Sequence, residues 1–498
     1  VALLCGWSGD FVSGQEAVPS APRSEESWEV IEIQGTRVGY AHSRTWETGE
    51  GDRRELWSET LTRMSVKRFG NTLNMTITQV TQEDVDGHLM SFEFKQSNPP
   101  VSDSTARGRV KGDRLELTTI AAGKTSVTEQ SWDPNVKSPA FQDRILREKP
   151  LQVGEQRKIR LFDLEFNRDV EVTLTGETAA ATRLLDGSTP TLRRVSIRHS
   201  MLPGMRITSY FDESGAPVKT ETNLLGLATY AVSRDEALKD ITGAEFDLSV
   251  GTLVRVDPMP HVHRAARAVL DVTSERPLDS TTFPASDSQR VEVRDPHTLR
   301  LTLEPLRLSD RPAAVAGEAP EVAANYLSAT RLLECNDPRV RDLAAAAAGD
   351  RRRPADVALA MESHVHRQMR QKNFSTALAT AAEVASKLEG DCTEHAVLLA
   401  AMLRAKEIPS RVAVGLVYAE SQQAFAGHMW TEALVDGHWM PLDATLGLGG
   451  IGCGHIKLAD SGLSDDHGAP LAVFVPLVDL LGRIRIRPVE IQDRSSDH

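Results

Sequence analysis

Cysteine is scarce in this chain: four in 498 residues, at Cys5, Cys335, Cys392 and Cys453. No two are close enough in sequence to suggest a zinc site, and four scattered thiols do not make a disulfide framework. A Cys335–Cys453 bridge is open to an exported protein, but nothing in the spacing demands it. Positive charge is also short: 57 Lys and Arg stand against 70 Asp and Glu, a net −13, which argues against a nucleic-acid partner. No run is long and apolar enough to span a membrane. Aromatics are few, at 5%. What is left is the composition of a globular protein too long for one ordinary core, so two to four domains are expected.

The sequence opens at Val1-Ala2-Leu3-Leu4-Cys5-Gly6-Trp7, which reads as the tail of a hydrophobic signal segment, followed by Ser, Gly, Pro and charge up to Glu26. Export to the periplasm, cell envelope or exterior is the expectation. A lipid anchor on Cys5 is the lesser alternative, because Leu4 is large for the position before such a cysteine.

From Trp28 to about Val232 short runs alternate with period two, as in Trp28–Ile33, Leu89–Phe94, Leu115–Ile120 and Val170–Leu174. Turn pairs such as Asp86-Gly87 and Asp186-Gly187 punctuate them. This spacing suits an antiparallel meander that closes into a sandwich, a barrel or a curled sheet. A short helical tract at Arg234–Leu238 leads to a second β-rich piece with its clearest strand at Leu299–Glu304. The Pro-, Ala- and Gly-rich stretch Arg311–Glu321 reads as a linker. Beyond it helices dominate: Asp342–Ala348 ends at Gly349, and Val357, Met361, Val365 and Met369 form one stripe after Pro354. His364 and His366 cannot face one ligand together and read as surface or rim residues.

Gly390-Asp391-Cys392-Thr393-Glu394-His395-Ala396 is the centre of the chain. Asp391 reads as an N-cap and Glu394 completes a capping box, which puts Cys392 at the first position of an apolar, buried helix. The positive end of the helix dipole favours a thiolate there, and unpaired backbone N–H groups lie ready for an oxyanion. His395 points with the helix body and reads as packing. After Pro409 the sequence turns to strands.

Asp436-Gly437 is a preferred pair for a two-residue type I′ turn. That turn would pair Val435 with His438, Glu432 with Pro441, and set Trp430 opposite Asp443. His428 and Asp443 then share a face as diagonal neighbours, with α-carbons roughly 7–8 Å apart, close enough for an imidazole–carboxylate hydrogen bond. Pro441 removes one ladder bond, which points to an edge or a bulge. A carboxylate-held histidine beside a helix-capped thiol is a set of nucleophile, base and orienter. Trp430 reads as a wall of the site and a candidate substrate contact. Glu432 lies further from the thiol and is read as a substrate contact or a solvated group. His438 should be exposed, and His455 and His467 fall in a tail segment without a partner pattern.

Gly390–Ala396, Leu403-Arg404-Ala405, Ile408–Val412, Gly427–Glu432 and Trp439–Asp443 together resemble the bacterial transglutaminase-like superfamily, over roughly residues 355–450 or about a fifth of the chain. The resemblance implies a papain-like α+β core with the thiol helix packed on an antiparallel sheet, Cys392 as nucleophile, His428 as base and Asp443 as its orienter. The family often adds a side-chain oxyanion donor upstream, for which Gln371-Lys372-Asn373-Phe374 hold the candidates. No calcium pattern is visible, and neither a metal nor another cofactor is expected.

The expected fold class is α+β and multidomain, with antiparallel β domains followed by the papain-like core. The divisions are 1–25 (signal remnant and linker), 26–245 (N-terminal β-rich domain), 246–310 (second β-rich segment), 311–354 (linker and helical lead-in), 355–450 (catalytic core) and 451–498 (extension of the core). The expected function is acyl transfer from, or hydrolysis of, amide bonds in protein or peptide substrates. The alternatives are a cysteine protease or amidase with a defined peptide preference, and a non-catalytic β scaffold with a vestigial site.

Overall fold

The computed structural model describes residues 24–494 apart from breaks at 69–70, 100–102, 122–123, 202–204, 224, 240–245, 248–252, 311–324, 370–378 and 465–472. The N-terminal segment with Cys5 and the stretch Arg311–Glu321 lie outside the described residues.

The first 200 or so described residues hold one fourteen-stranded antiparallel sheet and, between its eighth and ninth strands, a helix at Pro139–Glu148. The chain winds outward from its first strand (Ser24–Ile33) to its eighth (Lys124–Ser131). It restarts at the far edge with the ninth (Gln156–Asp163) and winds back to the fourteenth (Leu227–Val232). That last strand pairs with the first, from Trp28–Val232 to Ile33–Leu227.

The sheet curls rather than closing through a complete ladder. Phe92 in the fifth strand and Phe162 in the ninth lie ten places apart in strand order, which in a flat sheet would be about 48 Å. Their rings are in fact 5.0 Å apart. Segment 132–138 stitches the two regions together: Leu89 N–H donates to Val136 O, and Phe162 N–H donates to Lys137 O. The buried apolar faces of Phe92, Phe94, Leu115, Trp132 and Phe162 supply the driving force, since aromatic side chains bury large areas.

A second sheet holds Gln289–Asp295, Thr298–Leu303, Arg267–Ser274 and, from the far end of the chain, Ile484–Gln492. The C-terminal strand therefore returns to the β-rich piece that precedes the helices. Asp271, buried in this sheet, is held by Arg300 and Arg487 from its two neighbouring strands.

The helical part follows. Helix α1 (Pro338–Ala348) starts at the Asp337 cap and ends at Gly349. Helix α2 (Pro354–Gln368) buries Val357, Met361 and Val365, the stripe that its four-residue spacing predicts. Helix α3 (Ala381–Lys387) carries a full capping box between Thr380 and Glu383. These three surround α4 (Cys392–Ala405), whose residues from Thr393 to Arg404 are all buried.

Helix α4 lies against a sheet of β1 (Ser410–Ala419), β2 (Ala424–Val435), β3 (His438–Leu442) and β4 (His455–Ser461). The order is β2-β1-β4, with Val254–Arg255 and β3 both paired to β2. Side chains pin helix to sheet: Thr431 Oγ1 donates to Ala396 O at 2.9 Å and Ser410 Oγ to Ala400 O at 2.8 Å. The fold class is thus α+β, as the sequence pattern leads one to expect.

Candidate active site

Cys392 is positioned by the cap beneath it. Gly390 sits at φ 146°, a conformation that favours glycine. The Asp391 carboxylate accepts from Thr393 N at 2.8 Å, and Glu394 Oε2 accepts from Asp391 N at 3.0 Å, which completes the capping box. The other oxygen of Glu394 accepts from Ala379 N at 3.1 Å. Burial, and then the neighbouring Asp391 carboxylate, push the Glu394 carboxyl up to about 8. The result is a half-buried free thiol at the first turn of a buried helix. His395 turns away into the cap, where its Nδ1 donates to Asp391 O at 2.6 Å.

His428 is set by the hairpin. Asp436 and Gly437 both have positive φ, 52° and 77°, as a type I′ turn requires. The ladder runs from Val435–His438 through Glu432–Pro441 to Thr431–Leu442. Pro441 is tolerated because β3 is an edge strand bonded to β2 alone. Asp443 follows directly, and its Oδ2 accepts from His428 Nε2 at 2.9 Å. That bond leaves Nδ1 as the free ring nitrogen, and the Cys392 thiol lies close enough to the imidazole to favour its charged form. Burial would discharge the imidazolium, but the Asp443 carboxylate and then Cys392 outweigh it, and the His428 pKa rises to about 10.

Asp443 is fully buried and fully engaged. Its Oδ1 accepts from Thr445 N at 2.8 Å and Leu446 N at 3.2 Å. Burial opposes its charge, yet His428 and His455 hold its carboxyl well below the usual carboxylate range.

Trp430 is 1% exposed and stacks beside His428, ring centroids 6.2 Å apart. It forms the packed wall that its register implies and offers a ligand almost no surface. Gly415 of β1 pairs with His428 of β2, and on its other side a Cβ would stand 1.9 Å from Ile456 O of β4, so this close strand approach requires glycine.

Two expectations are corrected, and one question that the sequence leaves open is settled. His455 is far from partnerless: its Nε2 lies 2.9 Å from Asp443 Oδ2, the oxygen that His428 also uses. It was missed because it lies beyond the hairpin, on the strand at the opposite side of β1, and no local spacing ties it to Asp443. Glu432 is neither solvated nor open to substrate. It is buried and bonded to Lys457 Nζ at 2.8 and 2.9 Å and to Arg411 Nε at 2.7 Å. Cys335 and Cys453 form no bridge; both are buried free thiols. His438 is exposed as expected, and His366 sits on the rim, its Nδ1 donating to Ala444 O at 3.0 Å. Gln371–Phe374 and His467 lie outside the described residues.

Among the described residues, His428, Asp443 and His455 are the one group with metal-ligand proximity, their donor atoms within 4.8 Å of one another. Both N···O separations are 2.9 Å, the length of a hydrogen bond. Two ligands of one tetrahedral zinc stand about 3.3 Å apart. The arrangement fits two N–H donors on one carboxylate oxygen better than it fits a metal.

Residues 341–444 match the Transglutaminase-like superfamily. A search of curated proteins finds no match. Among solved structures, the chain resembles a candidate cysteine protease from Cytophaga hutchinsonii at 14% identity and TM-score 0.28, over 46% of this chain and 85% of that one. It resembles a beta-barrel-like protein of a domain of unknown function from Brucella abortus at 14% and 0.30, over 43% and 96%. A candidate protease from Parabacteroides distasonis follows at 12% and 0.18, over 71% and 63%. Scores this low carry nothing about chemistry. The chain contains a transglutaminase-like domain.

Proposed function

We propose that this domain is a thiol enzyme that acts on amide bonds of protein or peptide substrates, with Cys392, His428 and Asp443 as its triad. One observation carries the reading: a histidine bonded through Nε2 to a buried carboxylate lies within electrostatic reach of a thiol at a helix N-terminus.

Cys392 Sγ attacks the carbonyl carbon, and its proton resides on His428 Nδ1. The backbone N–H of Cys392, which has no partner within its helix, donates to the oxyanion. His428 returns the proton to the leaving amine as the C–N bond breaks, and an acyl-enzyme remains. Water or a second amine then gives a proton to His428 and attacks the thioester, so that the C–S bond breaks and the thiol is restored. Asp443 keeps the imidazole in one tautomer and stabilises its charged form.

Transfer and hydrolysis share these steps and differ in the acceptor. Incubation with a casein-type substrate and a labelled primary amine separates them. Label on protein means transfer, and new peptide termini mean proteolysis. Neither product, with Cys392 intact and folded protein, would reject both across that substrate class.

A further inference from the structure

His455 has no part in the triad, yet it is built into it. Its side chain is fully buried, and its Nε2 meets Asp443 Oδ2 at 2.9 Å. The Asp443 carboxylate thus takes two backbone N–H groups on Oδ1 and two imidazoles on Oδ2. His455 Nδ1 has no hydrogen-bond partner among the described residues, so the ring proton belongs on Nε2.

The ring is boxed on several sides. Trp430 meets it edge-on at 5.5 Å and 82°, and His263 at 5.4 Å and 75°. His263 is itself pinned, with Nε2 donating to Tyr418 O at 2.9 Å. Gly454 lets this histidine approach, since a Cβ there would lie 2.4 Å from His263 Cε1. His263 comes from residues well before the 341–444 match, so an upstream segment buttresses the site.

The charges around the group favour one assignment. His428 faces Asp443 and Cys392, and Asp443 also feels Glu362 from α2. His455 faces Asp443, His428 and His263, and burial holds its pKa below the ordinary value, so it stays neutral. One imidazolium and one neutral imidazole then share a single buried carboxylate.

We propose that His455 is a positioning residue of the triad, donating a neutral Nε2–H to Asp443 Oδ2 so that the carboxylate stays aligned with His428. This rests on the proposed thiol chemistry. The N–H fills the second lone pair of a buried oxygen. Without it the carboxylate turns toward other donors, and its hold on the His428 ring weakens.

The test is a pH titration of histidine-labelled full chain by NMR, with the His428 signal assigned from its loss in His428→Ala. In His455→Leu the His428 midpoint should fall by about one pH unit or more. Iodoacetamide labelling of Cys392 near pH 7 should slow about tenfold or more, as expected when one hydrogen bond to a charged group is lost. In His455→Gln, whose amide N–H can take the place of Nε2–H, both should return most of the way. An unmoved His428 midpoint in His455→Leu would make His455 mere packing and overturn the proposal. Should that variant not fold, wild type still decides. A His455 ring that stays neutral with its proton on Nε2 from pH 5 to 9 supports the proposal, and one that protonates in that range, or carries its proton on Nδ1, overturns it. Failure of the parent reading looks different: wild-type Cys392 would label no faster than Cys392 in His428→Ala.

Discussion

Gly390 and Glu394 approach so closely that a Cβ on the glycine would lie 2.4 Å from the Cβ of the glutamate. This contact seats the capping box under Cys392, and the φ of 146° adds a second requirement for glycine. Gly390→Ala should therefore cost about 2 kcal/mol or more in urea unfolding and slow Cys392 alkylation in the protein that still folds. An unchanged midpoint would show that the cap relaxes freely.

Arg404 secures the other end of the same helix. It is 3% exposed and donates to three carbonyls: Ser410 O at 2.8 Å, Ser328 O at 2.6 Å and Gly462 O at 2.9 Å. Arg404→Met keeps the length of the side chain and strands all three acceptors. The expected loss is about 2–4 kcal/mol by denaturant unfolding, and Arg404→Lys should recover only part of it, because an ammonium lacks the planar fork.

Glu362, buried on α2, accepts from Gly450 N at 3.3 Å. Burial, then the Asp443 charge, push its carboxyl from 4.5 up to about 8. A carboxyl raised on folding contributes its full stability below 4.5 and loses it as pH rises through about 8. Wild-type melting temperature should decline across that window, and Glu362→Gln should flatten the decline. Equal slopes in the two proteins would contradict the assignment.

His428 gives a later window. Its pKa moves from 6.5 to about 10, so its stabilising effect is complete below 6.5 and disappears as pH passes 10. Asp443→Asn removes the main cause, and thermal unfolding of this variant should show less loss between pH 8 and 10.5 than wild type. A parallel loss in both would mean that the carboxylate does not hold the imidazolium.

The hairpin was legible because its instructions are local. Asp436-Gly437 selects the turn, the turn fixes the pairing, and period two carries His428 and Asp443 to one face. The cap of Cys392 is legible for the same reason, three residues apart in sequence. His455 was not. Its place depends on β4 pairing with β1 through a register shift between Val414 and Gly415, and a shift of that kind reverses which face a side chain takes. Glu432 misled because period two gives a face and not what covers it; Lys457 and Arg411 arrive from other strands. The alternation of the N-terminal region foretells an antiparallel meander. It does not foretell that the chain leaves one edge and re-enters at the other, because nothing near Ser131 or Gln156 in sequence encodes that jump.

The central claim is that one imidazole activates one thiol, and the rate at which iodoacetamide labels Cys392 near pH 7 reads it directly. Peptide mapping separates Cys392 from the buried Cys335 and Cys453. The account predicts labelling at least about tenfold faster than a free cysteine in solution, falling to that level or below in a folded His428→Ala protein. Labelling at the free-cysteine rate in wild type, unchanged by His428→Ala, would contradict it.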